Sequence, residues 1–320
     1  MTGAADLARL TWFAGAGGLA LALFLTPLVA RLLTRLGAID MPGGRHGHER
    51  PTPRGGGLAV VAGLLFGFWI TGLPFAGPLK GLLCGLAILV PLCFLDDVWK
   101  LPPKPRLLGQ IIAASLAWRY GVRIEGVTNL LSHFLGGHYL ALGWISWPVT
   151  VLWLTAMTNA LNWIDGIDGL AGGVAAIAAA SFAYMGFSGG MADVACLAAA
   201  VSGACLGFLR YNFPPASIFM GDVGAMSLGF TLACLATTGA FKSTAVTALA
   251  APLLVSGVPL YDVLSTMWGR WRRGAALDAA DRTHVHHRLL SRGFTPLQAC
   301  LLLYLATAVL CFLAILLWRL

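Results

Sequence analysis

Apolar residues in this chain come in long blocks rather than in alternation with polar ones. Charge-free stretches cover 10–30, 55–79, 81–95, 126–164, 169–192, 194–209, 223–241, 243–261 and 293–318. Most approach or exceed the ~20 residues a membrane-crossing helix needs. Backbone polar groups in lipid must be satisfied internally, so the pattern predicts an all-α integral membrane protein. About ten transmembrane helices are expected, at roughly 10–33, 56–73, 79–95, 107–120, 146–162, 170–187, 192–209, 223–240, 244–268 and 297–318, with nine or eleven as alternatives. The first block is too long for a signal-peptide core and continues into Arg31 and Arg35, so it is expected to be a retained helix. No soluble domain is inserted and no repeat stands out, so residues 1–320 read as a single polytopic domain.

The polar residues gather in the loops after expected spans one, three, five, seven and nine. Fifteen of the 21 Lys and Arg lie there, from Arg31 to Arg292. The positive-inside rule puts these five loops in the cytoplasm and both termini outside. The acids share the bias. Of the 13 Asp and Glu, only Asp6, Glu125 and Asp193 fall on the opposite side.

Composition agrees. Hydrophobic residues make up 58% of the chain and charged residues 11%, against about 25% charged in soluble proteins. The net charge of +8 is mostly loop bias and suits anionic headgroups or anionic substrates. It does not indicate nucleic acid, because the basic residues are split among separate membrane-side loops. All seven cysteines sit inside apolar blocks without a CxxC pair and read as small packing residues.

Each of the five loops carries chemistry. The first, DMPGGRHGHERPTPRGGGLAV (40–60), presents Arg45, His46, His48, Arg50 and Arg54 before a GGG run whose N–H groups could hold phosphate. Topology-setting charge explains it equally well. The second, LDDVWKLPPKPRLLGQ (95–110), sets adjacent Asp96 and Asp97 beside Lys100, Lys104 and Arg106. Neighbouring carboxylates need a positive partner. A divalent cation is the expected one, since Mg²⁺ takes one or two carboxylates and shares substrate phosphates.

The third loop, TNALNWIDGIDGLAGG (158–173), spaces Asn162, Asp165 and Asp168 by three, along one face of a helix. Gly166 and Gly169 weaken that helix and admit a ligand close to the backbone. Helix capping is the plainer alternative, but two carboxylates and two amides in one turn are more than a cap requires. In the fourth loop, Asp222 sits between two glycines at the start of a span, again a capping position, with Asn212 across a Pro-Pro turn. The fifth loop carries His284, His286 and His287 between Arg282 and Arg288. Zinc is one reading of His-x-His-His, but flanking arginines disfavour a cation and phosphate binding fits better.

LDDVWK, NALNWIDGIDGLAGG, FMGDVGAMSLGF and RTHVHHRLL, in this order and on alternate loops, resemble the polyprenyl-phosphate N-acetylhexosamine-1-phosphate transferases. The resemblance spans roughly residues 40–296. It implies a multi-pass enzyme of the bacterial cytoplasmic membrane with its active site on the cytoplasmic face. The implied reaction takes a sugar-1-phosphate from a UDP-N-acetylhexosamine to undecaprenyl phosphate and releases UMP, with Mg²⁺ as cofactor or Mn²⁺ in its place. A homodimer is a compatible assembly. The product would initiate a cell-envelope polysaccharide such as O-antigen.

Carried over by position, Asp96 and Asp97 match paired aspartates implied in metal binding and activation of the lipid phosphate. Asp222 matches the principal Mg²⁺ ligand, and Asn162 an amide near the metal and diphosphate. Asp97 joins Asp222 and Asn162 in the implied metal set. Asp165 and Asp168 match acids implied in nucleotide binding and catalysis, and Asn212 an amide near the uracil. Lys100 matches a lysine that follows the aspartate pair. His284, His286 and His287 match a histidine motif at the diphosphate or sugar, where Arg282 would add charge.

THVHHRLL resembles the GlcNAc-1-phosphate branch. The peptidoglycan branch, which transfers phospho-MurNAc-pentapeptide, has another histidine signature and usually a loop-one lysine where His48 stands. Those enzymes are the nearer alternative. A transporter or flippase is the alternative from another class, because carboxylates near a bilayer also mark ion paths.

Overall fold

The computed structural model describes residues 3–41, 51–128, 139–239, 253–272 and 284–319. Eleven helices account for most of them: α1 (Ala4–Arg35), α2 (Gly57–Trp69), α3 (Pro78–Trp99), α4 (Pro103–Arg119), α5 (Ser146–Ile164), α6 (Leu170–Ser188), α7 (Ala192–Asn212), α8 (Gly221–Gly239), α9 (Gly257–Arg272), α10 (Val285–Ser291) and α11 (Pro296–Trp318). Two short antiparallel pairs and a 3-10 turn at Gly143–Ile145 accompany them. Ile39–Asp40 pairs with Thr52–Pro53, and Gly126–Thr128 with Tyr139–Ala141.

Helix boundaries follow local chemistry. Proline, whose missing N–H costs nothing in a first turn, opens α3, α4 and α11. A capping box between Thr295 and Gln298 closes the start of α11. Among the described residues, five helices are long and apolar enough to cross a membrane: α1, α3, α6, α7 and α11.

The expected span at 56–73 is realised as the 13-residue α2, which ends before a turn at Thr71 and Gly72. At 1.5 Å per residue it reaches only about 20 Å. The expected span at 244–268 falls partly outside the described residues, and its helical part, α9, runs on to Arg272. The helix α10 and the two strand pairs lie where loops were expected. Hydropathy cannot resolve elements of two to seven residues.

The central helix is α8. From Gly221 to Thr237 every residue is buried, with α2, α3, α5, α6 and α7 packed around it. Gly57 at the start of α2 meets Gly224 backbone to backbone. A Cβ on Gly57 would lie 2.0 Å from the Gly224 Cα, so the two helix starts touch only because neither residue has a side chain. This contact brings the residues before α2 and those before α8 to one end of the bundle, beside the end of α3.

Candidate active site

The last turn of α3 carries Asp96 and Asp97. Lys100 then leaves the helix in a left-handed conformation, and Pro102 and Pro103 lead into α4. Asp96 accepts the Leu101 N–H at 2.6 Å and the Arg106 guanidinium, which reaches back from the first turn of α4. The same Arg106 nitrogen donates to Asp222 Oδ2 at 2.9 Å.

Asp97 faces the start of α8. It accepts the backbone N–H of Asp222 at 2.9 Å and of Val223 at 3.1 Å. These amides have no partner within their own helix, and a carboxylate is favoured there by the helix dipole. Asp222 stands at a capping position, but the cap of α8 is supplied by Asp97 from another helix.

Arg54 completes the cluster. Its Nε donates to Asp97 at 2.9 Å and its terminal nitrogen to Asp222 Oδ1 at 2.7 Å. Burial works against its charged form, but Asp97 and Asp222 outweigh it and raise its pKa further. Three carboxylates thus share two guanidiniums, Arg54 bridging Asp97 to Asp222 and Arg106 bridging Asp96 to Asp222. The sequence reading assigned the positive partner to a metal and gave Lys100 a place beside it. In the structure Lys100 is exposed, and the cations that touch the aspartates are Arg54 and Arg106. Both arginines stand in loops the sequence singled out, Arg106 beside the aspartate pair, but neither was assigned a role in the site. Arg106 lies nine residues beyond Asp97, within one loop, which is the signal that could have found it.

The GGG run also differs from expectation. The N–H groups of Gly55 and Gly56 donate to the Phe219 carbonyl, and that of Gly57 to Met220. They are spent on tying loop one to loop four and hold no phosphate. Phe219 N–H returns a bond to Pro53 at 2.9 Å, so Arg54 is fixed on a strip paired with the residues just before Asp222. The loop-one residues Arg45, His46, His48 and Arg50 lie outside the described residues.

Asn162, Asp165 and Asp168 do not share a helical face. Helix α5 ends at Ile164 with Asp165 as its C-cap, and the chain turns through Gly166 to Gly169, which is left-handed at φ +77°. Two glycines in four residues break the expected helix. Asn162, still on α5, is close enough to Asp222 to favour its charged form. Burial pushes the Asp165 carboxyl up to about 7; Arg54 opposes the rise, and Asp222, Asp97 and Asp168 add to it. Asp168 turns elsewhere and accepts the Ala216 N–H at 2.9 Å. Asn212 is buried, its amide accepting from Gly169 N–H and donating to the Ile218 carbonyl. Both side chains brace loops three and four against each other.

The histidines form a second cluster. His284 caps α10, and its Nδ1 lies 2.7 Å from Asp262 Oδ2. The other Asp262 oxygen accepts the Val285 N–H at 2.6 Å. His284 packs near Trp163, with ring centroids 5.9 Å apart, and His286 lies against Gly166, where a Cβ would sit 2.1 Å from its Nε2. His287 is next to His286, at 4.3 Å between rings. Loop five is thereby docked on loop three. Arg282 lies outside the described residues, and Asp262 was not expected in the site.

Among the described residues, no three carboxylate, histidine or cysteine groups converge on one metal position. Mg²⁺ asks for less: one or two carboxylates, with water and phosphate oxygens filling the rest. Asp222 and Asp97 offer hard oxygen donors at the start of α8, with Asn162 near Asp222, so the donor types fit that ion. When ionised, Asp96, Asp97 and Asp222 carry one more charge than Arg54 and Arg106, so the cluster attracts a further cation.

A model of glycosyl transferase family 4 matches residues 79–240. The chain is 35% identical over 285 residues to a protein of Bacillus subtilis named probable undecaprenyl-phosphate N-acetylglucosaminyl 1-phosphate transferase, covering 88% of this chain and 78% of the relative. It is 34% identical to the decaprenyl-phosphate N-acetylglucosaminephosphotransferase of Mycobacterium leprae, covering 90% and 79%. It is 30% identical to the undecaprenyl-phosphate alpha-N-acetylglucosaminyl 1-phosphate transferase of Yersinia pestis, covering 88% and 77%.

Proposed function

Because the chain belongs to glycosyl transferase family 4, we propose that it transfers GlcNAc-1-phosphate from UDP-GlcNAc to a polyprenyl phosphate, undecaprenyl phosphate in a bacterial membrane, and releases UMP. The observation that carries this reading is the convergence of Asp96, Asp97 and Asp222 from two loops onto Arg54 and Arg106. A charge-dense cluster at one end of an apolar bundle is where a lipid phosphate and a soluble nucleotide sugar can meet. The apolar blocks support about ten spans, and the Lys and Arg bias of the loops supports a cytoplasmic active face.

Asp222 and Asp97, with Asn162, would hold Mg²⁺. Bound there, the ion would neutralise phosphate oxygens and polarise the phosphorus under attack. The protein supplies position and charge. A phosphate monoester has a second pKa near ~6, so the lipid phosphate is largely dianionic at neutral pH and needs no strong base. Asp96 and Asp97, each bonded to an arginine and to backbone N–H groups, are suited to holding the cluster in place rather than taking a proton. Arg54 and Arg106 would screen the approaching lipid phosphate from the carboxylates. Lys100, Arg282 and the histidines would offset charge developing on the oxygens of the leaving UMP.

The test is UMP release by purified protein given undecaprenyl phosphate, Mg²⁺ and one UDP-sugar at a time. Release that requires lipid, metal and UDP-GlcNAc is the expected result. Release with UDP-MurNAc-pentapeptide instead would move the protein to the peptidoglycan branch. No release from any donor, with a working control enzyme, would overturn the reading.

A further inference from the structure

Four residues lie one helical turn beneath the carboxylate cluster, each below a residue of the site on its own helix. Cys93 stands below Asp97 on α3, Gln110 below Arg106 on α4, Asn159 below Asn162 on α5 and Met226 below Asp222 on α8. Residues three or four apart are neighbours on one helix face, so whatever fixes the lower residue also fixes the upper one.

The four lower residues bond to one another. Asn159 Nδ2 donates to Gln110 Oε1 at 2.7 Å, and Gln110 Nε2 donates back to Asn159 Oδ1 at 3.3 Å. Asn159 Nδ2 also donates to the Thr155 carbonyl at 2.8 Å. A carbonyl only accepts, so this bond settles which end of the Asn159 amide is nitrogen, and the reciprocal pair then orients the Gln110 amide. Gln110 Nε2 and the Cys93 thiol both face Met226 Sδ, at 3.7 and 3.3 Å. The layer links α3, α4, α5 and α8, the four helices that carry Asp96 and Asp97, Arg106, Asn162 and Asp222.

Packing alone does not call for amides here. Gln110 is buried, and an apolar side chain of its size would fill the space with no polar group to satisfy. A reciprocal amide pair adds direction. It is satisfied at one rotation and one height of α4 against α5, whereas apolar contacts tolerate several.

We propose that Gln110 is a positioning residue of the transfer site and acts through its pairing with Asn159. The paired amides set α4 against α5 so that Arg106 and Asn162 stand level with Asp222. The consequence for transfer rests on the function proposed above; the helix register does not.

The test removes the pairing without stranding a polar group. Gln110→Met alone leaves Asn159 Oδ1 without its donor and should lower both melting temperature and turnover. Gln110→Met combined with Asn159→Leu replaces both amides with apolar groups of similar size, a change that is nearly neutral for stability. In detergent this double variant should melt within about 3 °C of the parent. Its kcat should still fall on the order of 10- to 100-fold, as a displacement near 1 Å produces, with the KM for UDP-GlcNAc within about threefold. A double variant with parental kcat would overturn the proposal and mark the amides as filling space.

A second measurement needs no turnover. Arg106 bridges Asp96 and Asp222, so Arg106→Gln should lower the melting temperature of metal-free protein. In the double variant the same substitution should cost less than about half as much, because Arg106 no longer meets both carboxylates. An equal change with and without the amide pair would overturn the proposal. The cycle compares differences, so it decides even where the double variant melts below the parent; if that variant does not fold, the cycle is run on Gln110→Met. If the unsubstituted protein transfers nothing, the proposed function fails, and the melting cycle alone decides whether Gln110 sets the register.

Discussion

The Asp97 carboxylate caps the helix that bears Asp222: it accepts the N–H of Asp222 itself at 2.9 Å and of Val223 at 3.1 Å. One member of the DD pair therefore sets the height and direction of the principal metal-ligand candidate, 125 residues away in sequence.

Replacing Asp97 with alanine should then damage stability as well as turnover. Loss of a cap costs about 0.5–2 kcal/mol, and Arg54 loses one of its two carboxylates. A lower melting temperature in detergent, together with loss of UMP release, is the expected pair of results. Asp97→Asn should melt closer to the parent, because its amide oxygen can still accept one of the two N–H groups.

Asp222 and Asp168 should behave differently under the same change. Asp222→Asn removes charge from a cluster that holds two arginines, and transfer should fall by more than about 100-fold with folding retained. Asp168 accepts a single backbone N–H from Ala216, and an asparagine oxygen can replace it. Asp168→Asn should keep transfer within about tenfold. Parallel steady-state assays at saturating Mg²⁺ decide between these expectations.

Gly221 tests the geometry of the cap. It is left-handed at φ +72°, and a Cβ there would lie 2.5 Å from Asp97 Oδ2. Gly221→Ala should cost about 1–2 kcal/mol from the backbone alone and push Asp97 off the α8 amides. Turnover should drop although no charged group has been changed, which paired melting and kcat measurements would reveal.

Arg106 sits where a cation would bind, bridging Asp96 and Asp222. Removing its charge with Arg106→Gln should let Mg²⁺ bind more tightly, by about three- to tenfold for one nearby charge in a half-exposed site. The readout is the Mg²⁺ concentration needed for half of the metal-induced rise in melting temperature. Weaker Mg²⁺ binding in the variant would place the metal elsewhere.

The Asp165 carboxyl is raised to about 7 in the folded chain, above the roughly 3.9 of an exposed aspartate. Its neutral form is the favoured one, so this contribution to stability is complete below about pH 4 and is lost as pH rises through 7. Metal-free protein should lose stability from this group between those limits, and Asp165→Asn should flatten that part of the profile. Melting curves in EDTA from pH 4.5 to 8, compared between the two proteins, check the sign.

Much of this arrangement was legible in the residues alone. Carboxylates confined to the ends of apolar blocks pointed to a site at one end of the bundle, and the alternation of loops grouped Asp96, Asp97 and Asp222 before any coordinates did. The partners were legible only in part: Arg106 stood beside the pair, but nothing in the sequence ranked it above Lys100 or Lys104. Lys100 is nearest the DD pair in sequence, but a left-handed residue and two prolines carry the chain away, and it is Arg106, one helix turn later, that returns. A glycine run reads the same whether it cradles an anion or lets two backbones touch; only Gly224 on the facing helix separates the two. Asp262 carries no motif and borders an apolar stretch, and its meaning depends on a histidine beyond the end of its own helix.

The span between Asp97 and its partners also governs how the chain is made. When α3 leaves the ribosome, the amides it will cap have not been synthesised, and Arg106 is only a few residues behind. Until α8 arrives, Arg54, Arg106 and water must satisfy both carboxylates, which is feasible at a helix end and costly in mid-bilayer. Capture of Asp97 by Asp222 and Val223 is therefore a late, long-range event. The carboxylate cluster can close only after α1 to α7 have been made.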